Sequence, residues 1–171
     1  MKSKTKYTVN YRRKREGRTD YKKRLNLLKG KTNRLVIRKT NTQIILQVVK
    51  YEHDGDRVLL TVNSSSLRKM GWSHSCKNLP AAYLAGLLLS KKASEKKIKK
   101  AVLDLGLTSP LKGSKLFSAL KGVIDGGLEV PASEEIFPSA QRIQGEHIAS
   151  FLEKHKSISA DFEKLKKTIK E

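Results

Sequence analysis

RLVIRKTNTQIILQVVKYEHDGDRVLLTVN, residues 34–63, is the stretch that decides the fold. Three apolar, β-branched runs lie in it. Leu35-Val36-Ile37 falls within 34–40, Ile44-Ile45-Leu46 and Val48-Val49 within 43–51, and Val58-Leu59-Leu60 with Val62 within 57–63. Thr40-Asn41-Thr42 separates the first two and Asp54-Gly55 the second two, and Asp-Gly between β-rich runs is a strong hairpin signal. The stretch predicts a three-strand meander. Lys39, Gln43, Gln47 and Thr61 alternate with apolar neighbours, which predicts one wet face.

On the C-terminal side, a polar loop at 64–77 leads to a helix predicted over 79–93. Asn78 is placed to cap it, Pro80 is tolerated in a first turn, and Leu84, Leu87 and Leu88 form its stripe. Residues 99–105 read as a fourth strand, and a strand–helix–strand order implies a crossover and a parallel pairing. Ser114 is placed to cap a second helix carrying Leu116, Ala119, Leu120, Val123 and Ile124, which Gly126-Gly127 ends. Two further amphipathic pieces are predicted at 142–155 and 159–170, with stripes Ile143, Ile148, Phe151, Leu152 and then Phe162, Leu165, Ile169. The order βββαβα with helical extensions describes an α/β layered domain. The expected division is an arm at 1–31, a core at 32–130 and a helical extension at 131–171.

The N-terminal side has a different character. The chain holds 37 Lys and Arg against 16 Asp and Glu, a net charge of +21. Residues 1–31 contribute +11 of that, and the other 140 residues only +10. Tyr11-Arg12-Arg13-Lys14-Arg15-Glu16-Gly17-Arg18-Thr19-Asp20-Tyr21-Lys22-Lys23-Arg24 is crowded with cations and has no apolar periodicity before Leu25. A segment of this kind buries no core of its own and makes sense against a polyanion. Arginine adds forked hydrogen bonds to phosphate, and Tyr7, Tyr11 and Tyr21 interleave as rings able to stack on unpaired bases. Residues 1–18 are expected to be extended or disordered without a partner. A short helix is expected over 20–29, capped by Thr19 and stopped by Gly30, with Leu25 and Leu28 on one face and Lys22, Lys23 and Arg24 free.

Other chemistries fare worse. Cys76 is the single cysteine, so neither a disulfide framework nor a Cys-rich zinc site is expected. His74 and Cys76 stand two apart in Gly71-Trp72-Ser73-His74-Ser75-Cys76 with no evident third orienting group, so this reads as an ordinary loop with a partly packed tryptophan. A base-stacking platform ranks second and a Cys–His nucleophile third. Gly113-Ser114-Lys115 lacks the spacing of a nucleotide-binding loop. It leaves a helix N-terminus flanked by Lys112 and Lys115, where an RNA phosphate and a plain capped helix are equally good readings. Asp104, Asp125 and Glu129 are scattered, and Asp125 reads as a turn former. The longest apolar run is far short of a membrane span, no apolar signal region follows the basic start, and a cytosolic protein is expected.

Four ordered blocks carry a resemblance. Arg12 through Tyr21 resembles the arginine-rich arm of the large-subunit ribosomal protein eighteen family, in its archaeal and eukaryotic branch. Leu35 through Asn41 is similar to that family's first strand. Asn78-Leu79-Pro80-Ala81-Ala82-Tyr83-Leu84-Ala85-Gly86-Leu87-Leu88-Leu89 is similar to its first core helix. Gly113 through Pro131, continued by Ile136-Phe137-Pro138 and Ile143 through Ile148, is similar to its second-helix block. The resemblance covers almost the whole chain and fits an archaeal-type protein best. It implies a structural, non-enzymatic constituent of the large ribosomal subunit that binds 5S rRNA and helps anchor it at the central protuberance. Implied partners are 5S rRNA, large-subunit rRNA and a second 5S-binding ribosomal protein, with no cofactor, no membrane and no small-molecule substrate. The implied body resembles the small-subunit protein eleven fold.

The expected RNA contacts are therefore Tyr11, Arg12, Arg13, Lys14, Arg15, Arg18, Tyr21, Lys22, Lys23 and Arg24, with Lys112, Ser114 and Lys115 as a second patch. The nearest competing reading is a non-ribosomal RNA-binding chaperone. A polybasic membrane-surface protein is disfavoured because the arm lacks the apolar face that such helices need.

Overall fold

The meander forms. In the computed structural model, which describes residues 8–170, two short helices, α1 (Arg12–Arg15) and α2 (Tyr21–Lys29), precede the sheet. Then β1 (Arg34–Lys39), β2 (Ile44–Glu52) and β3 (Gly55–Asn63) pair antiparallel. Glu52 pairs with Gly55, so His53 and Asp54 make the second corner, one residue earlier than expected. A fourth strand, β4 (Val102–Asp104), joins parallel to β1 and gives the order β3-β2-β1-β4. It is shorter than 99–105 because the Lys99 carbonyl and the Ala101 N–H bond to Glu129 instead, with Lys100 opposite it.

The two-residue period of the strands sorts their side chains onto two faces. Leu35, Ile37, Leu46, Val48, Leu60 and Val62 share one face, where Leu35 pairs with Val48 and Ile37 with Leu46, and all are buried. Val49 takes the other face by alternation, with Arg34, Val36 and Gln47, and a bulge that leaves Leu59 unpaired brings Val58 opposite it. Helix α3 (Leu79–Glu95) lies against the apolar face. Twelve of its 17 residues are buried, as befits a helix covered on several sides. Asn78 caps it, its side chain accepting from the N–H of Ala81 at 2.9 Å.

Helix α4 (Lys115–Asp125) crosses α3 at backbone contact. A Cβ on Gly86 would strike the Ala119 carbonyl, and one on Gly122 would strike the Tyr83 carbonyl. Each glycine thus lies directly against the backbone of the other helix, with no side chain between them. Nearby, the Tyr83 hydroxyl donates to Asp125 at 2.8 Å, so Asp125 holds a partner as well as ending a helix. Burial, and next that hydrogen bond, push the Tyr83 pKa up.

The C-terminal region departs from expectation. Gly145 adopts φ +85 and breaks the 142–155 segment into α5 (Ala140–Gln144) and α6 (Glu146–Phe151). Of the predicted stripe Ile143 is buried, but Phe151 and Leu152 are exposed, Phe151 by 84%. Helix α7 (Ile158–Lys170) keeps its stripe, burying Phe162, Leu165 and Ile169 against the body. The 64–77 loop is also more ordered than expected: residues 64–70 form a 3-10 helix and Trp72 is fully in the core. Ser64 Oγ accepts from the Ile44 N–H at 2.9 Å and donates to the Cys76 carbonyl at 2.5 Å, pinning the loop to the sheet.

Candidate nucleic-acid interface

The arm crosses the sheet face that α3 leaves open. Tyr7 and the start of the 1–18 segment lie outside the described residues. From Tyr11 the chain is not extended as expected but makes one helical turn, Arg12–Arg15, every residue of it cationic. Glu16 closes the turn, with its carboxylate 2.7 Å from Arg12 Nε and 3.2 Å from Arg18 Nε. Arg13 donates to Thr19 Oγ1 at 2.8 Å. The occupied Thr19 therefore does not cap α2. Asp20 does, accepting from the Lys23 N–H at 3.0 Å. Tyr11 and Tyr21, expected to stack on bases, stand with ring centroids 5.5 Å apart, and Tyr11 remains 75% exposed.

Helix α2 buries none of its residues, so apolar packing alone is a weak anchor for nine residues. Leu25 and Leu28 do not seal its docking face, as Leu25 is exposed. Charge does the anchoring. Arg24 forks onto Asp56 of β3 through two hydrogen bonds of 2.7 and 2.8 Å. Asp56 also meets Arg34 Nη2 at 2.6 Å, off hydrogen-bonding alignment. Arg34 is 4% exposed and donates from Nη1 to Asp104 at 2.9 Å. Asp104 Oδ1 in turn accepts from the Gly106 N–H, and the Gly106 carbonyl accepts from Lys23 Nζ at 2.9 Å. Arg24 and Lys23, expected to be free, are thus spent on fixing the arm.

The pair of Arg24 and Asp56 makes this docking sensitive to pH. The hydrogen bond from Arg24, followed by contact with Arg34, lowers the Asp56 pKa, and the same bond raises that of Arg24. A carboxylate held below its unfolded value stabilises the fold above that value, and the contribution is lost as pH falls through the folded pKa. The docking of α2 is therefore expected to weaken below about pH 4. Asp56→Asn should loosen it at neutral pH by about 1–2 kcal/mol, less than the roughly 1.5–3 kcal/mol range for a charged hydrogen bond because the pair is partly exposed. Hydrogen exchange of the α2 amides checks this: faster exchange there, with the β2 amides unchanged, is the expected pattern.

With Arg24 and Lys23 committed, the arm's outward cations are Arg12, Arg13, Lys14, Arg15, Arg18 and Lys22, all exposed. Among the described residues Lys14, Arg15 and Lys22 have no ion-pair partner. They present positive charge where a phosphate backbone can lie.

The second patch is rearranged. Lys112 pairs with Glu135 at 3.2 Å. Ser114 takes the cap position of α4, yet its side chain makes no cap bond and its Oγ lacks a partner. Ser114 and Lys115 instead line a groove with Lys77, Asn78, Arg142 and His147, onto which the N-termini of α3 and α4 both open. Partial desolvation, then the Arg142 charge, lowers the His147 pKa. Lys77, Arg142 and His147 were missed because they come from three separate segments.

The Trp72 loop offers neither a platform nor a nucleophile. Trp72 is 2% exposed and donates from Nε1 to the Ser75 carbonyl at 3.2 Å, and Cys76 is buried away from a base. His74 is instead structural, 2.9 Å from His155 Nδ1 and 3.0 Å from Asp161, tying the loop to the C-terminal helices. Among the described residues no group of metal-ligating side chains gathers, and no helix is long and apolar enough to cross a membrane.

The family described as ribosomal large subunit proteins 60S L5 and 50S L18 matches residues 5–101 and 91–133. The large ribosomal subunit protein uL18 of Korarchaeum cryptofilum is 51% identical over 148 residues, 86% of this chain and 76% of that protein. The uL18 of Methanoregula boonei is 46% identical over 164 residues, 96% of this chain and 94% of that one.

Proposed function

This chain belongs to the family of ribosomal large-subunit proteins 60S L5 and 50S L18, and from that premise we propose that it is a structural, non-catalytic constituent of the large ribosomal subunit. Its role is to bind 5S rRNA and help anchor it at the central protuberance. The observation that carries this is the arm: a run of outward cations, from Arg12 to Lys22, fixed to a rigid sheet through Arg24 and Asp56. A tethered cationic segment loses less freedom on meeting RNA than a loose tail, and its phosphate contacts set the register of the whole body.

In this reading residues 1–31 are the RNA-binding arm, 32–130 a core resembling the small-subunit protein eleven fold, and 131–171 an extension. Large-subunit rRNA and a second 5S-binding ribosomal protein complete the partners. Ser114 and Lys115 supply a second phosphate contact, and Lys112, paired with Glu135, contributes through its charge. The test is retention. The protein should bind purified 5S rRNA and remain with large subunits through a high-salt wash, whereas release into the wash with equal affinity for unrelated RNA would make it an RNA chaperone instead.

A further inference from the structure

One feature of the docked arm lies outside its cationic surface. Between α2 and the last residues of β2 runs a groove of about 560 Å³. Leu25, Leu28 and Tyr51 give it an apolar floor, with Leu25 57% and Tyr51 51% exposed. Lys29, Lys31 and Lys50 stand on its rim, and no carboxylate lines it. Lys50 has one distant partner, Glu52 at 3.9 Å. Lys31 holds a left-handed backbone, φ 49, unusual for a residue with a Cβ. The conformation ends α2, with the Lys31 N–H donating to the Leu28 carbonyl at 3.0 Å, and it turns the chain along the groove.

We propose that this groove receives an unstacked nucleotide of ribosomal RNA, its base lying on Tyr51 between Leu25 and Leu28 and its flanking phosphates on Lys29, Lys31 and Lys50. The inference rests on the functional reading above. Three observations favour RNA over an acidic protein segment. The floor carries an aromatic ring, which is the surface that single-stranded bases stack on. The charged residues that line the groove, Lys29, Lys31 and Lys50, are all cations, as contact with phosphates requires. The groove is also built partly from α2 itself, so it continues the surface formed by Arg18 and Lys22. Unlike the arm, this site would read an unpaired base and would distinguish a bulge or loop from a regular duplex.

The experiment measures affinity for purified 5S rRNA and, separately, for deproteinised large-subunit rRNA, across a salt series. Tyr51→Ala should weaken binding to one of the two about tenfold without changing the salt slope, because stacking releases no counterions. Tyr51→Phe should bind like the parent, and Lys50→Ala should lower the slope by about 0.7. Tyr51 is exposed, and an unchanged thermal midpoint for Tyr51→Ala shows that folding is intact. Parent protein that ignores 5S rRNA overturns the functional reading, and the groove with it. Parent binding to both RNAs that Tyr51→Ala leaves untouched overturns the groove alone. So does loss of retention on large subunits with RNA affinity intact, which would assign the groove to a protein neighbour.

Discussion

Removing residues 1–18 is expected to cut affinity for 5S rRNA roughly a hundredfold or more near 0.1 M salt, and to flatten its salt dependence. The segment carries eight of the chain's 37 lysines and arginines and a single acid, Glu16. Each phosphate contact releases condensed counterions and adds about 0.7–0.9 to the slope of log affinity against log salt. Five contacts from Arg12, Arg13, Lys14, Arg15 and Arg18 would therefore lower the slope by about 4 when deleted. The body should stay folded, since α1 and the other described residues before α2, 8–20, bury nothing apolar. A salt titration with an unchanged slope would place the arm away from the RNA.

The second large effect concerns the body that carries the arm. Gly122→Ala is expected to destabilise the fold by about 3 kcal/mol, the upper part of the range for overpacking. The added methyl would meet the Tyr83 carbonyl, backbone that cannot swing aside. Relief would require α3 and α4 to separate, and α3 is the helix that covers the sheet. Gly30→Ala is the control. Its Cβ would find Thr32 Oγ1 at 3.6 Å, an ordinary contact, so the change should stay within about 0.5 kcal/mol. Urea unfolding of both variants checks the pair, and equal midpoints would refute the backbone crossing.

Much of this architecture is legible in the sequence. Residues whose meaning is local read correctly: the β-branched runs of the meander, Asn78 ahead of α3, Gly126-Gly127 after α4, and the α7 stripe. Residues whose meaning depends on distant partners do not. Arg24 reads as a free cation because Asp56 lies 32 positions away, and only the sheet brings it under α2. Trp72 sits in a polar stretch and reads as half-packed, yet it lies in the core at 2% exposure. Periodicity also misled at 142–155, where the apolar spacing continues through Gly145 but the backbone does not. Gly86 and Gly122 look like minor blemishes in two helices until the crossing makes them necessary. At the interface, the cationic arm is plain from composition alone. Which of its members face outward is a tertiary fact.

The central claim is that a cationic arm, fixed on the open face of the sheet, is what meets the RNA. Ultraviolet crosslinking of the protein to 5S rRNA, with the joined peptides identified by mass spectrometry, tests it most directly. The account predicts RNA-linked peptides from residues 8–31, with weaker joining near Ser114 and Lys115. Crosslinks confined to α5–α7, with the arm peptides recovered free of RNA, would contradict it.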